Sequence, residues 1–158
     1  MPRPLEISEI PRLLPLNAIV QAVHSAARPL NFRAELDLDP QQVCAFFAEW
    51  LTRDTVEILI EEDVTGLALG YVMLEAQEIA QSTFNLPRRR GFVHHVAVLP
   101  EARRRGVASC LLAAGREWCL ARGMTQWATS YWLFNEPSAR LMIKHGLTPA
   151  HVVAEAAL

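Results

Sequence analysis

Cysteine is scarce: only three of the 158 residues, Cys44, Cys110 and Cys119, with neither a CxxC pair nor a Cys/His spacing suited to zinc. Cys110 and Cys119 stand nine residues apart, on opposite sides of any one helix, which excludes a bridge between them and points to a reducing compartment. Long hydrophobic runs are missing too. No stretch approaches the roughly 18 apolar residues of a membrane span, and Met1-Pro2-Arg3-Pro4-Leu5-Glu6 lacks the apolar core of a signal peptide; a cytoplasmic chain with no membrane partner is expected. An excess of charge is also lacking. Fifteen Lys and Arg against 17 Asp and Glu give a net charge of -2, which argues against a nucleic-acid partner drawn by the field of the whole chain. Neither G-x-x-x-x-G-K-[ST] nor G-x-G-x-x-G occurs, excluding the two common nucleotide loops. With no repeat, low-complexity tract or linker, one domain over residues 1–158 is expected.

What is present is an ordinary globular composition, 51% hydrophobic and 20% charged. Residues 5–8 read as a short strand, and Leu13, Leu14, Ile19, Val20 and Val23 as a helix entered near Pro11 and ended before Pro29. Asp39-Pro40-Gln41-Gln42 reads as an N-cap, a proline at the first helical position and a capping-box glutamine, followed by Val43, Phe46, Phe47, Trp50 and Leu51 at helical spacing. Residues 55–60 and 67–74 form a hairpin, and residues 91–99 a central strand interrupted only by His94 and His95. A helix over 105–122, a strand over 125–131, a helix from Asn135 to His145 and one or two last strands over 147–157 complete the pattern.

The turn between the central strand and the next helix carries the chemistry. Arg103, Arg104, Arg105 and Gly106 sit where initial helical N–H groups are unpaired and attract negative charge. Gly106, without a Cβ, admits an extended anion close to the backbone, and the arginines add charge-assisted bonds at the rim. A diphosphate is the natural ligand. The run R-x-x-G-x-A from Arg103 to Ala108, placed after Val96-Ala97-Val98-Leu99-Pro100-Glu101, resembles motif A of the GNAT superfamily of acyl-CoA-dependent N-acetyltransferases. The segment from Asn135 to Leu147 is similar to the later N-x-x-[SA]-A-x-x-[LF]-[YF]-x-x-x-G-[FL] segment of that superfamily. His24, Pro29 and Phe32 match a common subfamily.

The resemblance implies an α/β (α+β) chain with the GNAT acyl-CoA N-acyltransferase fold: a mixed, mostly antiparallel sheet with splayed central strands and about four flanking helices. It implies acetyl-CoA as cosubstrate and no metal. Pantetheine would pair with the backbone of Val96, Ala97 and Val98, and the diphosphate would rest on residues 104–109, including Val107, Ala108 and Ser109; Asn135 and Ser138 would also touch the cofactor. His24 and Phe32 would face the acceptor, a primary amine on a small molecule or peptide. A homodimer is compatible with this reading.

Amide formation from a thioester needs a neutral amine, a stabilised oxyanion and an exit for the thiolate. An alkylammonium, with a pKa near 10.4 like that of lysine, must lose a proton before attack. His94 is the candidate base, four residues before Val98, with an unperturbed imidazole pKa of about 6.5 suited to the task. Strict alternation would put Phe92, His94, Val96 and Val98 on one face and Val93, His95, Ala97 and Leu99 on the other. Met142 stands where relatives place a tyrosine acid, so Tyr131 on the neighbouring strand is the substitute acid, or solvent protonates the sulfur. The acidic loop Glu35-Leu36-Asp37-Leu38-Asp39 suggests a cationic amine with an apolar body. The alternative is a CoA-binding module of the same fold that works through protein contacts with little catalysis.

Overall fold

The computed structural model describes residues 1–156. A five-stranded sheet runs in the order β1 (Arg3–Pro4), β2 (Val56–Glu62), β3 (Ala68–Ile79), β4 (Arg88–Val98) and β5 (Gln126–Thr129). Every neighbouring pair is antiparallel except β4 and β5, which run parallel. Helices α1 (Leu14–Ala27) and α2 (Pro40–Leu51) cover one face; α3 (Val107–Ala121) and α4 (Glu136–Lys144) cover the other.

Each helix begins where its sequence supplies a start. Asp39 Oδ1 accepts from the Gln41 N–H at 2.9 Å with Pro40 next in line, and Asn135 Oδ1 accepts from the Ser138 N–H at 3.2 Å. Helices α1 and α3 have no side-chain cap: α1 carries Pro15 in its first turn, whereas α3 follows Gly106 with neither cap nor proline.

Two apolar clusters follow from the alternation of the strands. Leu13, Leu16, Phe47, Ile58, Ile60, Tyr71 and Met73 fill the α1–α2 side; Val72, Leu74, Val93, Leu111, Leu112 and Met142 fill the α3–α4 side. Helix α3 lies so near the sheet that a Cβ on Gly91 would stand 2.1 Å from Cys119 Sγ and 2.9 Å from its Cβ.

Several element boundaries depart from the sequence expectation. The strand expected over 5–8 is confined to Arg3–Pro4; Leu5 still bonds Ile58 O at 2.8 Å, but Ile7–Leu13 winds into a 3-10 helix. Arg3 and Arg12 both bridge Glu9 and Glu62 there, and this quartet ties the turn to β2. Strand β3 continues past Leu74 to Ile79, paired with β4 throughout. Strand β5 stops at Thr129, two residues short of Tyr131. Residues 147–156 form no strand; residue 157 of that expected segment lies outside the described residues.

The close contact of Gly91 with α3 gives a direct test. Gly91→Ala forces the helix or the strand to shift, and an overpacked core of this kind loses about 1–3 kcal/mol. The midpoint of urea unfolding should fall accordingly, with no change in secondary-structure content by circular dichroism.

Candidate active site

Strands β4 and β5 are paired only from Arg90↔Gln126 to Val93↔Thr129. Thr129 Oγ1 then takes up Val93 O at 2.9 Å, and beyond this point β4 runs on without a neighbour on that side. Leu99 N–H donates to Leu69 O at 2.9 Å, so by alternation His95, Ala97 and Leu99 direct their main-chain groups toward β3. Val96 and Val98 direct theirs into the gap. Val98 O is met there only by Arg103 Nε, at 3.4 Å.

Ala97, expected beside Val96 and Val98, is oriented differently. Its main chain serves the β3 ladder and its methyl is buried in the α1–α2 cluster, so it does not share the open edge with Val96 and Val98.

At the end of this edge the chain turns into α3. Arg104 (φ 59°) and Gly106 (φ 87°) both adopt the left-handed region, and the N–H groups of residues 104–109 find no acceptor among the described residues. The first paired amide is that of Cys110, to Gly106 O at 2.9 Å. A left-handed non-glycine residue costs about 1–3 kcal/mol and persists where its surroundings impose it. Here it turns a run of donors outward, and nothing lies within 4 Å of where a Cβ on Gly106 would be. Arg103, Arg104 and Arg105 are all exposed around this hollow, while the side chain of Val107 anchors it in the core. Ala108 and Ser109 are half-buried on the first turn.

His94 stands where the two strands part. Val93 pairs with Leu74 and His95 with Met73, which leaves His94 as the extra residue of a β-bulge. The bulge overturns the expected alternation. His95 packs against Phe46 and Phe47 of α2, and His94 against Trp50 of the same helix, so both histidines lie on the α1–α2 side, with Val96 and Val98 opposite.

Their surroundings differ. His94 Nε2 lies 2.8 Å from Glu75 Oε2, and its ring is held between Trp50 and Phe92, each with a centroid separation of 4.8 Å. Burial raises the Glu75 carboxyl, but hydrogen bonds from Gln77 and His94 outweigh it and the net shift is downward. Gln77 is bonded in turn to Arg90 Nε at 2.7 Å. His95 meets the Tyr71 hydroxyl at 3.1 Å and is pushed down by burial to about 4.

The other expected residues divide by face. His24 stacks on Phe32 at 5.0 Å, and Trp132 and Phe134 complete a ring of aromatic contacts that joins the end of α1 to the loop before α4. Burial lowers the His24 imidazole as well. Tyr131 is half-buried against the α3–α4 cluster. Met142 is buried among the same residues, and its thioether has no proton to give. Asn135 and Ser138 sit at the start of α4.

Glu75, Trp50, Trp132 and Phe134 were missed by the sequence reading. Polar residues at every second position after Leu74, in Glu75-Ala76-Gln77, were the available sign that β3 continues with a hydrophilic face. Among the described residues, no group of three or more His, Cys, Asp or Glu is placed to hold a metal ion, and no helix is long and apolar enough to cross a membrane.

A profile of the Acetyltransferase (GNAT) family matches residues 20–147. The aminoglycoside N(6')-acetyltransferase type 1 of Klebsiella aerogenes is 30% identical over 139 residues, covering 85% of this chain and 90% of its own. Among solved structures, a tetramutant of the BH1408 protein from Bacillus halodurans is 17% identical with a TM-score of 0.90, over 100% of this chain and 99% of that one. The aminoglycoside N-acetyltransferase AAC(6')-Iy, solved in complex with CoA, is 19% identical with a TM-score of 0.77, over 100% of this chain and 93% of its own.

The depressed histidines predict a pH dependence of stability. Because the folded value lies below the unfolded one, the contribution is complete above about pH 6.5 and is lost as pH falls toward 4. His95 alone accounts for about 3 kcal/mol across that window. Urea midpoints measured from pH 7.5 to 4.5 should decline, and more shallowly in His95→Gln, which cannot titrate.

Proposed function

The chain belongs to the Acetyltransferase (GNAT) family and is an acetyl-CoA-dependent N-acetyltransferase; from that premise we propose that it acetylates a primary amine by direct attack in a ternary complex, at the point where β4 and β5 part. The observation that carries this reading is the run of unpaired amides over 104–109 at the end of an open β4 edge. Such donors at the start of a helix suit the diphosphate of CoA, with Arg103, Arg104 and Arg105 at its rim; Asn135 and Ser138, at the start of α4, are proposed as further cofactor contacts. The outward main chain of Val96 and Val98 suits the amides of pantetheine. AAC(6')-Iy, a chain of like fold, was solved in complex with CoA, which supports a CoA-binding role for this fold.

In the step itself, the amine nitrogen bonds to the thioester carbon and the carbonyl oxygen becomes an oxyanion. The N–H of Val98, facing the gap, is the oriented donor for it. Collapse breaks the C–S bond, and CoA leaves as thiolate. His94 takes the proton that the ammonium must lose, directly or through a water. Glu75 fixes its ring and engages Nε2, leaving Nδ1 to receive that proton, and the imidazolium formed would remain beside a carboxylate. Thiolate, with a pKa near 8.5, leaves without obligatory help; Tyr131, on the same side as Val96 and Val98, is the side chain proposed to protonate it.

Calorimetric titration with acetyl-CoA followed by thiol release on adding amines tests the reading; binding without release would instead favour a CoA-binding module. Gly106→Ala should raise the Kd for CoA about tenfold, since a side chain at φ 87° is strained and intrudes on the anion's approach. His94→Ala should lower kcat/KM by about 10² or more below the amine pKa. Glu75→Gln should lower kcat with CoA affinity unchanged, and Glu75→Asp should restore part of it. Unimpaired turnover in Tyr131→Phe would leave protonation of sulfur to solvent.

A further inference from the structure

Two helices wall the space in front of His95, and both are nearly free of charge. Helix α1 contains no Asp, Glu, Lys or Arg; α2 contains only Glu49, which pairs with Arg53 at 3.5 Å. Between them opens a cleft of about 300 Å³ in which Val43, Phe46, Phe47 and His95 provide the apolar and aromatic lining beside the amides of Asn17, Gln21 and Gln42; His94 and Glu75 do not line it. Its single carboxylate is Asp39, with Oδ1 already accepting the Gln41 N–H. Phe46 leaves 41% of its surface exposed and stacks at 17° on His95. Glu35 and Asp37 belong to a neighbouring hollow that also contains Arg33. From Phe46 the aromatic contacts continue through Trp50 to His94.

We infer that the acceptor is a small monoamine with a flat apolar body, its nitrogen directed to His94 and Glu75 and its body laid against Phe46 and His95. The inference rests on the acetyl-transfer reading and narrows its acceptor. Each ammonium taken out of water needs a carboxylate or equivalent acceptors, and an unpaired one is expensive to bury. A polycationic amino sugar, the acceptor class of the Klebsiella relative, would find only two carboxylates here, Asp39 and Glu75, for its several ammonium groups. A monoamine needs only one, Glu75, and it covers the exposed Phe46 ring. Burial holds His95 in its neutral form at neutral pH, so no imidazolium repels the incoming amine. The volume is at the small end of ligand pockets.

The test compares 2-phenylethylamine with kanamycin A as acceptors for the wild-type chain, with acetyl-CoA and thiol detection, and measures acetyl-CoA binding separately by calorimetry. The expected result is a kcat/KM at least tenfold higher for 2-phenylethylamine. Phe46→Ala should raise KM for that amine about tenfold with KM for acetyl-CoA unchanged, and Phe46→Leu should recover part of the loss. Equal or faster transfer to kanamycin A overturns the acceptor class and leaves acetyl transfer standing. Bound acetyl-CoA with no thiol release on either amine overturns the transfer reading, and the acceptor class falls with it.

Discussion

The parting of β4 from β5 after Val93 and Thr129 is the constraint on which the rest depends. Main-chain groups on a central strand are ordinarily consumed by two neighbours; here one side is released over several residues, and the chain leaves it unfilled with protein. The same geometry brings the strand's end to a helix whose first donors are uncapped. Open edge and open helix start lie end to end, so one elongated ligand with amides at one end and a diphosphate at the other can answer both. The near contact of Gly91 with Cys119 fixes how closely α3 lies on the sheet, and with it where those donors stand.

The two histidines show how local geometry separates chemically identical groups. One imidazole is enclosed by Phe46, Phe47 and Tyr71 and is kept uncharged by its surroundings. The other keeps a carboxylate on one nitrogen and stands at the fork. Regular alternation would have sent them to opposite faces; the bulge puts both on the α1–α2 side and gives each its own surroundings.

Much of this was legible in the residues. The caps at Asp39 and Asn135, the periodicities of the helices and the Arg-Arg-Arg-Gly turn are local features, and the order of elements followed from them. What was hidden depends on pairing across distance. The bulge exists only in the register between Met73 and His95, the ion quartet of Arg3, Glu9, Arg12 and Glu62 spans 59 residues of sequence, and Ala97's allegiance to β3 cannot be seen from its own strand. Glu75 was missed because the hairpin strand was read as ending where its apolar residues end. The segment after Leu147 misled in the opposite direction, since the apolar residues there meet no partner strand among the described residues.

The bulge at His94 has one more consequence. Since Val93 and His95 already occupy consecutive rungs of the ladder to β3, His94 is a supernumerary residue: excising its codon would heal the register and leave every side chain beyond it pointing as before. The ladder is thus continuous on either side of His94, and what the extra residue adds is the local bend of β4 at the point where β5 leaves it.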